Sequence, residues 1–336
     1  MLVHVRNGAR LFMALAPFAL ATLPTSAAQA DSQAESVEPS PLDSDFPDPF
    51  VLRDGDGYFA FATGANGRNV QVARSRDLTA WAMLPDALPT LPPWAARERG
   101  LTWAPSVLRR ERHYVLYYTA ADTGSGFQCI SRAIAERAEG PYVDDSPRPF
   151  VCQTGEATPL CGSIDPSPFV DGSGKAWLLY KSDENSPSCR GTARIWSQAL
   201  SDDGLSVVGA ASMLLATDRS WEGPLIEGPS MIQDGSSTLL FYSANWYESA
   251  DYAVGYARCE GPAGPCKKMT VDGPLFKSNE TALGPGGQEI FTDLSGRSWM
   301  AYHAWTPPTT TYADGGRRSL RLARLTFSQG TPFITP

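Results

Sequence analysis

The chain has 336 residues, 28 Lys and Arg against 36 Asp and Glu, a formal net charge of −8, 42% hydrophobic residues, 30 Gly and 28 Pro. This length and apolar content suffice to bury a large core, which excludes a mainly disordered chain or a small disulfide-framed peptide. Scattered basic residues in an acidic chain exclude a nucleic-acid partner, because phosphate binding needs clustered Lys and Arg.

Residues 1–30 read as a signal peptide. Arg6 and Arg10 form a basic start, Leu11 to Leu23 is an apolar run containing Pro17, and Ala28-Gln-Ala30 offers a small-residue cleavage site. The run is too short for a membrane span. The expected mature protein is therefore secreted or periplasmic, with no membrane partner after cleavage, and carries 26 basic against 36 acidic residues. Residues 31–42, rich in Ser, Glu and Pro, read as an exposed leader.

All six Cys lie beyond residue 30, and an exported chain meets an oxidising compartment, so disulfides are expected. Six Cys allow 15 connectivities. Closeness in sequence favours local pairing of Cys259 with Cys266 and of Cys152 with Cys161. The absence of Cys-x-x-Cys and the scarcity of His argue against a zinc site.

From residue 43 onward one pattern recurs five times: Pro or Gly, a short apolar run, a turn, then aromatic and β-branched residues. The copies begin at positions 49, 105, 166, 229 and 288, separated by 56, 61, 63 and 59 residues. Asp-Gly or a similar turn makes each copy a β-hairpin. A third strand-like run follows in each, at Val70–Ser75, Ile130–Ala135, Ile195–Leu200, Tyr252–Ala257 and Leu320–Leu325. A hairpin with a third and fourth strand, repeated about every 60 residues, is a propeller blade. The expected fold is all-β, a five-bladed β-propeller over residues 43–336.

The first strand of each blade lies nearest the axis, so the residues opening the repeats converge at one end of the channel. Those openings carry Asp48 before Pro49, Asp165 before Pro166, and Glu227 two residues before Pro229; Ala104 and Gly287 stand at the other two. An isolated Asp-Pro is a common turn element, but three carboxylates from three blades facing one pocket have a chemical use. Crowded like charges keep one carboxyl protonated as an acid while another stays ionised as a base. With no metal cluster, and with His113 and His303 the remaining His beyond residue 30, this combination points to hydrolysis of a glycosidic bond.

The openings Phe46-Pro-Asp-Pro49, Thr102-Trp-Ala-Pro-Ser106, Ser163-Ile-Asp-Pro166, Ile226-Glu-Gly-Pro229 and Tyr302-His-Ala304 together resemble the blade signatures of glycoside hydrolase family 43. The resemblance implies a five-bladed propeller acting on arabinose- or xylose-containing plant oligo- and polysaccharides with inversion at the anomeric carbon. It assigns Asp48 as general base, Glu227 as general acid, and Asp165 as the residue that raises the acid's pKa and orients it. An inverting mechanism sets base and acid roughly 6.5–9.5 Å apart, leaving room for a water. Trp103, Asn245 and Trp246 are candidate sugar-contacting residues, and Arg318 resembles the family's last-blade Arg near the active site.

No cofactor is required for such a reaction, although His303 resembles an axial His that ligates a structural calcium or other ion. The stretch Gly284-Pro-Gly-Gly-Gln288 departs from the Gly-Pro-Gly-His of arabinan-cleaving members, placing Gln288 where they have His. The resulting expectation is release of α-L-arabinofuranosyl residues, with β-D-xylosidase or endo-arabinanase activity as alternatives. A non-catalytic carbohydrate-binding propeller is the alternative of another class.

Overall fold

A computed structural model of the chain describes residues 42, 44–98, 100–155, 160–187, 189 and 191–335. The expected signal peptide lies outside the described residues, as does the leader apart from Leu42, which is buried. Blade I comprises β1 (Phe50–Asp54), β2 (Gly57–Ala62), β3 (Gln71–Ser75) and β4 (Ala82–Met83). Blade II comprises β5 (Thr102–Arg109), β6 (Tyr114–Ala121) and β7 (Gln128–Ala135), and a two-stranded ribbon, β8 (Thr154–Gly155) and β9 (Leu160–Cys161), follows it. Blade III comprises β10 (Ser163–Val170), β11 (Ala176–Ser182), β12 (Arg194–Leu200) and β13 (Val207–Ala216). Blade IV holds β14 (Ile226–Asp234), β15 (Ser237–Ala244), β16 (Ala253–Cys259) and β17 (Cys266–Lys268); blade V holds β18 (Leu283–Thr292), β19 (Ser298–Trp305), β20 (Arg318–Ser328) and β21 (Thr331–Thr335).

Each blade is an antiparallel meander in chain order. Its first strand adjoins the first strands of the blades on either side, so β1, β5, β10, β14 and β18 form a closed ring. The second strands lose the alternation of a half-buried sheet: β2 is buried at every position and β15 at all but its first. Both faces of these strands are covered by neighbouring blades, so continuous apolar runs such as Leu239-Leu-Phe-Tyr242 are what the packing requires. Five apolar clusters fill the five blade interfaces. Phe61 and Leu116 belong to the first, Tyr117 and Leu178 to the second, Leu179 and Leu240 to the third, and Phe241 and Met300 to the fourth. The fifth joins blade V to blade I through Phe46, Tyr58, Phe291 and Leu320.

Two hairpins share the sequence Asp-x-Ser-Gly-x-x-Trp, at Asp171–Trp177 and Asp293–Trp299. In both, the Asp carboxylate accepts turn amides and the indole N–H of the Trp at 2.9 Å, which pins the turn onto its second strand. Blade II departs from the expected four strands. Its outer edge is an irregular segment attached by isolated bridges, Ile134 to Val143 and Ile130 to Val151.

Three disulfides are present: Cys129–Cys152, Cys161–Cys189 and Cys259–Cys266. The expected Cys259–Cys266 pair joins directly opposed residues of β16 and β17. The expected Cys152–Cys161 pair does not form. The bridge from Ile130 to Val151 sets Cys152 beside Cys129 on β7, whereas Cys161 sits on β9 and reaches Cys189. No helix among the described residues is long and apolar enough to cross a membrane.

Because every blade is built from contiguous chain, no strand among the described residues is exchanged across the seam between blades V and I. Packing closes the ring, helped by the Phe46 amide donating to the Arg318 carbonyl at 2.8 Å and the Leu294 amide donating to the Tyr58 hydroxyl at 2.9 Å. Phe46 is fully buried there. Phe46→Ala should cost about 3–5 kcal/mol of stability, measured by urea unfolding, and a loss under about 1 kcal/mol would contradict this account of ring closure.

Candidate active site

The inner strands share one local irregularity. In each blade a residue in this strand or just ahead of it adopts a left-handed backbone, within a bulge in β5, β10, β14 and β18: Asp48 (φ 53°), Ala104 (44°), Asp165 (55°), Gly228 (54°) and Gly287 (55°). Gly takes this conformation freely and Asp tolerates it, whereas Ala does so under strain. At Gly287 a side chain is also sterically barred, since a Cβ would lie 2.6 Å from the Asp48 carboxylate and from the His303 ring. Glu227 immediately precedes the left-handed Gly228, which is why it stands one residue earlier than Asp48 and Asp165 relative to the following Pro.

The backbone N–H of each left-handed residue is satisfied across a blade boundary. Ala104 donates to Thr63 Oγ1 (2.9 Å), Asp165 to Thr119 Oγ1 (3.3 Å), Gly287 to Ser243 Oγ (2.8 Å) and Asp48 to His303 Nδ1 (3.1 Å). Gly228 donates instead to Asp165 Oδ2 (2.9 Å).

These turns surround a cavity of about 770 Å³ lined by Asp48, Asp165, Glu227, Trp103, Trp246 and Arg318, six of the seven sequence-selected catalytic and sugar-contacting residues. Asn245 is the seventh and is not in its lining. Its amide oxygen accepts the Trp246 N–H and its backbone N–H bonds the Glu222 and Leu225 carbonyls, so it shapes the turn that presents Trp246. The aromatic wall also contains Tyr247 and Tyr312, which the sequence reading missed.

Asp48 accepts a hydrogen bond from Thr63 Oγ1 at 2.6 Å and lies 3.6 Å from Arg318 Nη1. Burial works to raise its pKa, but the Arg318 charge, with the Thr63 hydrogen bond, holds the carboxyl well below the usual carboxylate range. Arg318 is itself fixed over the Tyr247 ring (4.6 Å) and donates to the Tyr312 hydroxyl (2.9 Å). Asp165 has the opposite environment. Burial and the nearby Glu227 charge push it up to about 8. Glu227 is held from both oxygens, by the Tyr252 hydroxyl at 2.9 Å and the Lys181 ammonium at 3.3 Å.

His303 is fully buried, and burial lowers its pKa, leaving the ring neutral. Its Nδ1 accepts the Asp48 amide, which puts the ring proton on Nε2, a buried atom without a hydrogen-bond partner. Gln288, in place of the family's His, donates to the Gly228 carbonyl and accepts from Ser243, both at 2.6 Å. Among the described residues no three His, Cys, Asp or Glu are grouped to hold a metal. This donor set does not fit calcium, which takes six to eight oxygens.

Deeper in the channel Glu289 bonds Ser167 and Ser230, each at 3.0 Å. Its position in the fifth repeat gave it no carboxylate counterpart in the others, so the sequence did not single it out.

A closed five-bladed propeller with three carboxylates in one aromatic-walled pocket defines a glycosidase, an enzyme that hydrolyses O-glycosyl bonds. Residues 40–332 match the description of glycosyl hydrolases family 43, and the chain belongs to that family. It is 26% identical over 305 residues to a probable arabinan endo-1,5-α-L-arabinosidase A of Aspergillus flavus, covering 85% of this chain and 90% of that protein. An extracellular endo-α-(1→5)-L-arabinanase of Thermotoga petrophila is 33% identical over 110 residues, which is 28% of this chain and 22% of that protein. Among solved structures, a thermostable family-43 glycoside hydrolase superposes with a TM-score of 0.77 at 26% identity, covering 87% of this chain and 93% of that one. An endo-1,4-β-xylanase from Bacteroides thetaiotaomicron gives 0.73 at 26% identity, covering 87% and 95%.

Burial pushes Glu289 up to about 8, with the two serine hydrogen bonds opposing. A carboxyl whose folded pKa exceeds its unfolded value of about 4.3 favours the folded state in its protonated form, so stability is lost as pH rises from the unfolded toward the folded pKa. Glu289→Gln should therefore lose that dependence, gaining on the order of 1–3 kcal/mol over the parent at pH 8 relative to pH 5. Urea unfolding at both pH values checks the sign.

Proposed function

We propose that the protein is an exported, inverting glycosidase that releases α-L-arabinofuranosyl residues from plant cell-wall polysaccharide or its oligosaccharides. One observation carries this reading: three carboxyls line one pocket, Asp48 beside the Arg318 cation and Asp165 beside the Glu227 carboxyl, in environments that push Asp48 down and Asp165 up. Asp48, kept anionic by Arg318, takes a proton from the attacking water. Asp165, pushed up by burial and by the adjacent Glu227 charge, crowds Glu227, and Glu227 delivers a proton to the departing glycosidic oxygen. Asp165 acts through its charge and through the Gly228 amide that its carboxylate accepts, one residue from the acid.

The arabinose assignment is supported by the relatives named as arabinan endo-1,5-α-L-arabinosidases and by an extracellular exo-α-(1→5)-L-arabinofuranosidase of Streptomyces avermitilis, 24% identical over 88% of this chain and 62% of that protein. Export is supported by three relatives described as extracellular. The likeness to the endo-1,4-β-xylanase structure keeps β-D-xylosides as the second substrate class.

Purified protein incubated with aryl arabinofuranoside, aryl xyloside and debranched arabinan should show turnover, with the product anomer inverted by NMR. Retention of configuration, or no turnover of any pentoside, would sink this mechanism. Glu227→Gln should lower kcat on natural linkages about 10³-fold while leaving thermal stability nearly unchanged. Because Asp165 is pushed up to about 8, kcat/KM should fall as pH rises through about 8.

A further inference from the structure

Lys181 breaks the fivefold rule of the site. The side chain opposite the residue before each bulge is Thr63, Thr119, Lys181, Ser243 or His303 in blades I to V. Four of these accept the left-handed N–H of the following blade. A charged Lys has three donors and no acceptor, so it gives up that role and the Gly228 amide turns to Asp165. A Ser or Thr at 181 would serve the backbone as its counterparts do.

In return an ammonium is placed against the reacting carboxyls. The Lys181 side chain is 2% exposed, with Nζ 3.1 Å from Asp183 Oδ1 and 3.3 Å from Glu227 Oε2. Desolvation disfavours so buried a cation, but the Glu227, Asp183 and Asp165 charges more than offset this, and the amine keeps its proton. The other groups facing the pair are Tyr252, which donates to Glu227 Oε1, and Asp48 with its partners Arg318 and His303.

We propose that Lys181 is a positioning residue for the acid: with Tyr252 it fixes the Glu227 carboxyl, and its charge stabilises the carboxylate left after proton delivery, with Asp183 moderating that charge. The inference rests on the functional reading above. In that step the glycosidic C–O bond breaks, the leaving oxygen keeps the electron pair and takes the Glu227 proton, and water adds to the anomeric carbon as Asp48 takes its proton. A negative charge thus appears on Glu227 at the moment of cleavage, 3.3 Å from Lys181.

The two partners of this arrangement should move the pH profile in opposite directions. Lys181→Met removes the cation, so the basic limb of kcat/KM should rise by about 1–2 pH units. It should also lower kcat about 10- to 100-fold on arabino-oligosaccharide, with a smaller loss on 4-nitrophenyl arabinofuranoside, whose leaving group needs no proton. Asp183→Asn leaves the Lys181 charge undivided, and the limb should fall. Unmoved limbs, or movement in the same direction, would overturn the proposal; a purely structural Lys predicts one or the other. If Lys181→Met does not fold, Asp183→Asn decides alone, and a limb that stays put rejects the idea. If the parent protein turns over no pentoside, the functional reading fails separately. Carbon-13 NMR titration of the labelled Asp and Glu carboxyls then reads the same shifts without turnover, and their absence rejects the Lys181 assignment.

Discussion

The left-handed turn at the head of every inner strand is the constraint on which the rest depends. A strand that entered the ring in regular pairing would alternate its side chains between the two faces of its blade. The bulge re-aims the chain at the mouth of the channel, and the conformation frees one backbone N–H that a neighbouring blade must accept. A single local strain thus fixes blade-to-blade spacing and presents Asp48, Asp165 and Glu227 to a common cavity. Ala104 shows the requirement most plainly. It has neither the freedom of Gly nor the polar side chain of Asp, yet it adopts the same turn and receives the same cross-blade bond.

Within that frame, similar carboxyls acquire different chemistry from their neighbours. Asp48 faces the cationic side of the pocket, where Arg318 is clamped by Tyr247 and Tyr312. Asp165 faces another carboxylate and little solvent. The asymmetry comes from Arg318 at the start of β20, with the loop residues Tyr247 and Tyr312 that hold it, on one side, and from Glu227 at the head of β14 on the other.

This division explains what the sequence revealed and what it concealed. The blade count, the hairpins and the three carboxylates were legible because they belong to the repeat itself, recurring one or two residues before Pro49, Pro166 and Pro229. Lys181, Thr63 and Tyr252 were not, since each lies at a strand end or start that reads as ordinary amphipathic sequence until its partner across a blade boundary is known. Setting the second strands in register would have matched Lys181 against Thr63, Thr119, Ser243 and His303, a signal present but unused. The Cys152 partner was hidden for another reason: nearness along the chain says little when an irregular edge carries Cys152 back to β7. Asn245 was selected for its polarity beside a Trp, whereas its own left-handed backbone gives it a turn to close.

Ring closure by packing and a few hydrogen bonds has a consequence for how the chain folds. Hairpins and meanders form from residues close in sequence, so four of the five blade interfaces join neighbours along the chain. The fifth spans residues as far apart as Asp45 and Arg318, 273 positions, linked by the Arg318 amide donating to the Asp45 carboxylate at 2.9 Å. Loop-closure entropy grows only logarithmically, adding about 0.6 kcal/mol per doubling of length, so this distant seam is affordable once the intervening blades are compact. Asp45 and Arg318 also stand beside the Asp48 carboxylate. The pocket around Asp48 is therefore completed across the seam between blades V and I, by residues 273 positions apart in the chain.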